Sequence, residues 1–197
     1  SLNQLRWFGK ICSGGKVSLR LNQGIGAGHH DHVITGGPDS KFGIYHTELS
    51  EAEKIIKESN LTVVGLHQHI GSNVLDENIF IQAMKALLLS ARRFANLEFL
   101  DFGGGFGVAY APGEKSLAID SLGPKISTLV GNFCTEYGRP LTLSFEPGRY
   151  LVAEAGYLLA TVTDRKERES RIFIGVDSGF NHLIRPAMYG SYHEVVN

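Results

Sequence analysis

Apolar segments that alternate with amphipathic helical patterns most constrain the fold of this chain. The apolar segments are residues 16–22, 61–67, 97–102 and 141–145, and the helical patterns are residues 1–11, 50–59, 76–94 and 116–137. Strands that are apolar along almost their whole length are typical of parallel sheets covered on both faces. The alternation therefore predicts an α/β fold of about four βα units, either a small doubly wound domain or half of a closed barrel, because a complete (β/α)8 barrel needs about 250 residues.

Local signals set the predicted ends of the helices. Ser1 and Gln4 predict a capping box for the first helix, and Ser50 with Glu53 predicts one for the second. Asn60 predicts a left-handed end to the second helix, and Gly123-Pro124 predicts a break in the last helix. Residues 23–44 form a long glycine-rich connection.

The pattern changes after Arg149. Residues 157–163 and 171–176 resemble two strands joined by a charged turn over residues 164–171. We therefore expect a domain boundary near residue 150, which separates βα units in residues 1–150 from the start of an antiparallel β-rich region in residues 151–197.

Composition excludes several classes of partner. The 197 residues carry a net charge of −1, so the sequence predicts neither a nucleic-acid partner nor an anionic membrane surface. No apolar run approaches the roughly 20 residues that span a bilayer. The chain begins at Ser1 without a basic-then-apolar leader, and Cys12 and Cys134 fit structural thiols. These features predict a cytoplasmic location.

Three of the predicted strands end in chemically distinctive residues. The sequences are His-Gln-His-Ile-Gly-Ser at 67–72, Asp-Phe-Gly-Gly-Gly-Phe-Gly at 101–107 and Glu-Pro-Gly-Arg at 146–149. Functional residues of βα proteins gather where strands end and helices begin. A carboxylate, a glycine turn with exposed N–H groups and an imidazole beside a hydroxyl suit an anionic aromatic cofactor such as pyridoxal phosphate.

Each of these residues also has a simpler interpretation. Glu146 and Arg149 could form a structural ion pair, and the glycines could serve tight strand-to-helix packing. His67 and His69 could be buried, hydrogen-bonded side chains. They could also bind a metal, as in metal-dependent barrel hydrolases, with His29, His30 and His32 as further ligands.

Taken together, the three motifs resemble a known family. In this order and spacing they are similar to those of the alanine-racemase-type (fold type III) pyridoxal-phosphate-dependent decarboxylases, and best match the diaminopimelate decarboxylase group. Residues 26–30, 35–37 and 40–44 are similar to that group's long loop, and residues 181–193 to its later substrate segment. Asn22-Gln23 departs from the usual Asn-Pro.

The resemblance implies a fold and a set of roles. Residues 1–150 would be the C-terminal half of a pyridoxal-phosphate-binding (β/α)8 TIM-like barrel, and residues 151–197 the start of a β-rich domain. His69 would stack on the cofactor, and Glu146 would pair with its ring nitrogen. Ser72, Gly103, Gly104 and Gly105 would hold the phosphate, and the segment Pro147, Gly148 and Arg149 would lie against cofactor and substrate.

Arg185 and Tyr189 would bind the end of the substrate that does not react. Because an arginine there favours a distal carboxylate over a distal ammonium, we expect the dicarboxylate meso-2,6-diaminopimelate, converted to L-lysine. The family also implies a homodimer with shared active sites. The alternatives are a decarboxylase of ornithine or arginine, or a racemase.

Two family residues have no match in this sequence. None of Lys41, Lys54, Lys57 and Lys85 has the context of the lysine that holds the cofactor as a Schiff base, and neither cysteine matches the proton donor. The sequence therefore predicts an internal piece of the enzyme with no catalytic residue of its own. A non-catalytic phosphate-binding module is the remaining alternative.

Overall fold

A computed structural model describes residues 1–28, 37 and 40–197 of the chain. The residues fall into two compact units, Ser1–Val108 with Lys115–Leu151, and Ala109–Glu114 with Val152–Asn197. His29, His30, His32 and Thr35 lie outside the described residues, so the expectations placed on them stay predictions.

The first unit is built on a five-stranded parallel sheet. Its strands are β1 (Lys16–Asn22), β3 (Ile44–Tyr45), β4 (Thr62–His67), β6 (Phe99–Asp101) and β7 (Thr142–Ser144). They lie in the order β3-β1-β4-β6-β7. A separate parallel pair joins β2 (Ala27–Gly28) to β5 (Gly71–Ser72). The four predicted main strands are confirmed, whereas the short strands β2, β3 and β5 were not predicted.

Helices connect and cover these strands. They are α1 (Leu2–Ile11), α2 (Leu49–Glu58), α3 (Glu77–Ala91), α4 (Ile119–Tyr137) and the short α5 (Gly148–Val152). The capping box at Ser1 is confirmed, and Asn60 has the expected positive φ of 53°. Asp76 caps α3 by accepting the N–H of Asn78 over 2.8 Å.

Two local predictions are wrong. Ser50 lies inside α2, because a 3-10 turn at His46–Glu48 starts the helix earlier, and Glu48 accepts the backbone N–H of Tyr45 over 2.9 Å. Gly123-Pro124 does not break α4, which continues through Pro124 to a left-handed cap at Gly138. Pro124 lies in the second turn, so α4 lacks one backbone hydrogen bond there but keeps those of the following turns.

The main core lies between the sheet and its helices. Leu66 and Leu100 on the sheet are fully buried against Leu87 of α3 and Ala52 of α2. A second cluster around Phe80 and Phe106, whose ring centroids are 5.0 Å apart, lies beneath the loop that follows β6.

The second unit contains an antiparallel pair, β8 (Val162–Arg168) and β9 (Arg171–Val176), and the helix α6 (Arg185–Tyr189). The prediction of two antiparallel strands is confirmed, but the first strand lies about five residues later than expected. The charged run forms the strand itself because the turn is reduced to Glu169 and Ser170, and a tight turn fixes the register. Among the described helices, none is long and apolar enough to cross a membrane.

Candidate cofactor site at the strand ends

The strand register brings the polar strand-end residues into two rows. Arg20 pairs with His67, His67 with Asp101, and Asp101 with Ser144, so these four residues form one row across β1, β4, β6 and β7. His69, Gly103 and Glu146 each follow two residues later. Because side chains alternate along a strand, this second row continues on the same face, towards the carboxyl ends of the strands.

Glu146 is the centre of this arrangement. Its Oε2 lies 3.3 Å from Nε2 of His67 and 4.0 Å from Nδ1 of His69. An ionised carboxylate can only accept hydrogen bonds, so the proton of this contact is on Nε2 of His67. The side chain of Glu146 is 54% exposed, and its carboxylate is therefore available to a ligand.

His69 is fixed by the neighbouring glycine turn, which is formed by residues 103–105. The backbone N–H of Gly104 donates to Nδ1 of His69 over 3.1 Å, so Nδ1 is an acceptor and the ring proton lies on Nε2. The 4.0 Å approach of Nδ1 to Glu146 is therefore not an ion pair. Burial lowers the pKa of the His69 imidazole, and the charge of Arg20 lowers it further, while Glu146 opposes both. His69 is thus a neutral, oriented ring.

The three glycines are needed for close packing of backbones. Gly103 and Gly105 have φ of 69° and 95°, which side-chain-bearing residues rarely adopt. A Cβ on Gly104 would overlap the carbonyl oxygen of Glu146, which is why no larger residue fits between the two strand ends. The packing interpretation of the glycines is therefore supported by geometry.

The N–H groups of Gly103 and Gly104 have partners inside the protein. The N–H of Gly103 donates to Oδ1 of Asp101 over 2.9 Å, and that of Gly104 donates to His69. Glu146 in turn donates its N–H to the carbonyl of Gly103 over 2.9 Å. The glycine turn therefore orders the carboxylate and the imidazole, and its role in holding phosphate stays a prediction.

Arg149 and Ser72 form the second part of the site. The guanidinium of Arg149, on α5, donates to Oγ of Ser72 at the end of β5 over 2.7 Å. Pro147 and Gly148 place α5 directly after Glu146, so the chain turns from the carboxylate to the arginine within three residues. The alternative of a Glu146–Arg149 ion pair is not what the described contacts favour, since Glu146 contacts His67 and Arg149 contacts Ser72.

These groups fit pyridoxal phosphate chemically. A half-exposed carboxylate suits a protonated ring nitrogen, a neutral imidazole suits the face of a cationic ring, and a guanidinium with a hydroxyl suits the phosphate. His69 follows β4 and Glu146 follows β7 of the five-stranded sheet, whereas Ser72 lies in β5 and Arg149 on α5. All four belong to the first unit.

The metal-binding alternative involves a different set of residues from the predicted one. His67, Asp101 and Glu146 each offer a ligand atom within 4.8 Å of the other two. His69 uses Nδ1 to accept from Gly104, and His29, His30 and His32 lie outside the described residues. Sequence reasoning missed Asp101 as a site residue, although its place at the start of the strand-end sequence of residues 101–107 could have indicated it.

Arg185 and Tyr189 belong to the second unit, both on α6. The guanidinium carbon of Arg185 lies 5.4 Å from the ring centroid of Tyr189 and 5.7 Å from that of Tyr110. One terminal nitrogen donates to Oγ of Ser191 over 3.2 Å. Sequence reasoning missed Tyr110. It included His193 in the substrate segment of residues 181–193 but gave it no role, and the His193 ring packs edge-on against Tyr110 at 5.7 Å.

Two buried nitrogens of this cluster are unsatisfied. Among the residues that the structure describes, Nε of Arg185 and Nε2 of His193 have no hydrogen-bond partner. Buried polar atoms are almost always paired, so an unsatisfied guanidinium nitrogen indicates a place for an anionic group. The Arg185 cluster, defined as Tyr110, Arg185, Tyr189, Ser191 and His193, is therefore suited to a carboxylate.

Known proteins match this chain along its whole length. The chain is 45% identical to diaminopimelate decarboxylase of Methanothermobacter thermautotrophicus, over 100% of the chain and 47% of that protein. It is 39% identical to the diaminopimelate decarboxylase of Escherichia coli K12, over 99% of the chain and 46% of that protein. The chain thus spans about half the length of the curated relatives it matches.

Solved structures give the same result. A crystal structure of diaminopimelate decarboxylase matches with a TM-score of 0.89 at 38% identity, over 98% of this chain and 46% of the other. The Helicobacter pylori enzyme in complex with L-lysine matches with a TM-score of 0.84 at 31% identity, over 98% and 49%. This likeness confirms the predicted fold class, a partial TIM-like barrel followed by the start of an antiparallel β domain.

The family model described as "Pyridoxal-dependent decarboxylase, pyridoxal binding domain" matches residues 1–153. That range contains Glu146, His69, Ser72 and Arg149, the residues that make up the strand-end site. The chain therefore belongs to the family of pyridoxal-dependent decarboxylases.

Proposed function

We propose that the natural protein containing this chain binds pyridoxal phosphate and decarboxylates meso-2,6-diaminopimelate to L-lysine. The observation that carries the proposal is the half-exposed carboxylate of Glu146, which lies 3.3 Å from His67 beside the neutral ring of His69. The names of the curated relatives support the choice of reaction.

Four side chains of this chain would hold the cofactor. Glu146 would accept a hydrogen bond from the protonated ring nitrogen, and His69 would cover one face of the ring. A neutral imidazole suits that place because a second positive charge would repel the cationic ring. Arg149 and Ser72, already 2.7 Å apart, would bind the phosphate.

The carboxylate of Glu146 has a specific task during the reaction. When bound, pyridoxal phosphate supplies an electron sink for the electron pair left by the departing carboxyl group. Glu146 would keep the ring nitrogen protonated, which the electron sink requires. The nearby positive charge of Arg20 interacts with the carboxylate of Glu146 and partly offsets its negative charge.

The Arg185 cluster would select the substrate. Nε of Arg185 is buried without a partner among the described residues, and two tyrosine rings lie close to its guanidinium. A distal carboxylate would satisfy that nitrogen, whereas the distal ammonium of ornithine or lysine would be repelled. We therefore assign to this cluster the non-reacting end of a dicarboxylic amino acid.

Other parts of the proposal concern the whole protein. The Schiff-base lysine, the proton-donating cysteine and the homodimer with shared active sites are expectations for the full-length enzyme. The cytoplasmic location predicted from the sequence belongs with them.

The first experiment measures turnover by the full-length natural protein. It should release CO₂ from meso-diaminopimelate and show little activity on ornithine, arginine or lysine. Glu146→Gln should lower kcat by at least a hundredfold, because a neutral amide does not keep the ring nitrogen protonated. Glu58→Gln, at the exposed end of α2, is the matched control and should behave as wild type. Preferred turnover of ornithine would contradict the substrate assignment.

A second experiment examines the Arg185 cluster. Arg185→Gln should raise KM for meso-diaminopimelate by tenfold or more, since a charge-assisted contact contributes about 1.5–3 kcal/mol. Arg168→Gln, an exposed arginine of β8, is the control. An unchanged KM in Arg185→Gln would rule out its role in recognising the distal carboxylate.

A further inference from the structure

His67 has a position that the proposed roles leave unexplained. It is the last residue of β4, and its side chain is only 19% exposed, although it lies at the mouth of the strand-end site. β4 lies between β1 and β6, which pair Arg20 and Asp101 directly with His67. The imidazole is therefore held by the central strand of the described sheet.

The side chain of Glu146 is held much less firmly than that of His67. Glu146 lies beyond the last residue of β7, and its side chain is 54% exposed. An exposed glutamate samples many rotamers, and restricting them costs side-chain entropy. A fixed donor is thus needed to keep the carboxylate aimed in one direction.

His67 is placed to be that donor. Its Nε2 lies 3.3 Å from Oε2 of Glu146, and since the carboxylate can only accept, Nε2–H points at it. Asp101 offers a second carboxylate oxygen within 4.8 Å of both groups, and that side chain accepts the N–H of Gly103 over 2.9 Å. Asp101 is therefore held by the backbone, which leaves the imidazole proton to Glu146.

We infer that His67 is a positioning residue, which holds the carboxylate of Glu146 in the orientation that pairs it with the cofactor's ring nitrogen. The inference rests on the proposed function, since it needs a ring nitrogen for Glu146 to meet. His67 acts through Glu146 and does not itself contact cofactor or substrate. Its counterpart in the second row, His69, has the separate role of covering the ring.

Side-chain geometry provides a matched pair of variants. The amide nitrogen of glutamine reaches about as far from Cα as Nε2 of histidine, whereas that of asparagine reaches only about as far as Nδ1. His67→Gln therefore keeps a donor near Glu146, and His67→Asn keeps the polarity but loses the reach. His67→Leu removes the donor altogether.

The experiment uses the full-length protein, stripped of cofactor and reconstituted with pyridoxal phosphate labelled with ¹⁵N in the ring. The ¹⁵N chemical shift reports protonation of the ring nitrogen, and titration gives the cofactor dissociation constant without any substrate. We expect His67→Leu and His67→Asn to weaken cofactor binding about tenfold and to move the shift towards the unprotonated value. His67→Gln should retain most of the cofactor affinity and most of the wild-type shift. Across the variants, kcat should fall as the shift moves towards the unprotonated value, while KM changes little.

The outcomes separate the inference from the proposed function. A wild-type protein that binds no pyridoxal phosphate, or binds it with an unprotonated ring nitrogen, would overturn the proposed function and this inference with it. A wild-type protein with a protonated ring nitrogen, together with an unchanged shift in His67→Leu, would overturn the inference alone. If His67→Leu does not fold, equal shifts and equal affinities in the Gln and Asn variants would overturn it.

Discussion

The guanidinium of Arg149 donates a 2.7 Å hydrogen bond to Oγ of Ser72, a residue 77 positions earlier in the chain. The contact joins the start of α5 to the end of β5, and it brings a fixed positive charge to a hydroxyl. Both groups can donate to the oxygens of one phosphate.

Arg149→Lys should weaken the binding of pyridoxal phosphate to the full-length apoprotein about tenfold. The ammonium keeps the charge but loses the planar fork that serves the hydroxyl and a phosphate oxygen together. Titration followed by absorbance, with inorganic phosphate as competitor, measures the effect. Arg92→Lys, at the exposed end of α3, should leave the affinity unchanged, and equal affinities in both variants would contradict the phosphate role.

Asn22 is a buried residue at the end of β1, and its side chain forms hydrogen bonds with the backbone of the segment that follows. Its Oδ1 accepts the N–H groups of Gly24 and Gly37 over 3.0 and 3.2 Å, and its Nδ2 donates to the carbonyl of Gly37 over 2.9 Å. The side chain thus attaches the described part of the glycine-rich connection to the sheet.

Asn22→Leu should lower the free energy of unfolding by about 2–3 kcal/mol, because it leaves buried backbone groups without partners. Urea unfolding of the full-length protein measures the loss. Asn132→Leu, on the exposed side of α4, should change stability by less than about 0.5 kcal/mol. A similar small change in Asn22→Leu would show that the backbone groups of this loop find other partners.

The sequence was informative where periodicity was strong. The four main strands follow from nearly continuous apolar segments and the long helix α3 from an apolar pattern of period 3.6, because these surfaces are buried against each other. Periodicity says little about β2, β3 and β5, since two-residue strands have no repeat. β8 was misplaced because its charged side chains are exposed, so tertiary pairing rather than apolar pattern sets its bounds.

The sequence indicated the candidate site residues but not the contacts between them. Motif order indicated Glu146, His69, Ser72 and Arg149, all of which lie at strand or helix ends of one unit. The bond from His67 to Glu146 depends on which residues pair across β4, β6 and β7. That register comes from the packing of the whole sheet, so no local motif could reveal it.

His69 should titrate below the ordinary histidine value of about 6.5. Burial and then the charge of Arg20 lower its pKa, against the opposing charge of Glu146. The unfolded state therefore binds a proton at a higher pH than the native state does. The unfolding free energy should consequently fall as pH drops below about 6.5, and level off once native His69 is also protonated.

NMR titration of the imidazole resonances in the apoprotein measures this pKa directly. Urea unfolding at several pH values measures the linked stability, and His69→Phe should have a shallower pH dependence below about pH 6.5 because it keeps a flat ring without a titrating group. A His69 that titrates at or above 6.5, with equal pH dependence in the variant, would contradict the buried, neutral assignment.

Gly104→Ala provides the sharpest test of the glycine turn. The φ of Gly104 is not positive, so alanine carries no backbone penalty there, and the whole effect comes from space. Its Cβ would overlap the carbonyl oxygen of Glu146, which must then move away from β6 together with its carboxylate. We expect a loss of about 1–3 kcal/mol in unfolding free energy and, beyond that, weaker binding of pyridoxal phosphate by the folded protein.

Gly131→Ala is the matched control. Gly131 lies inside α4 with nothing within 4 Å of the position of a Cβ, so alanine should be neutral or stabilise the helix by up to about 1 kcal/mol. Thermal unfolding and cofactor titration of both variants separate a general cost of replacing glycine from displacement of Glu146. Because the two exchanges add the same methyl group, cofactor affinity that is unchanged in Gly104→Ala would show that the position of Glu146 does not control binding.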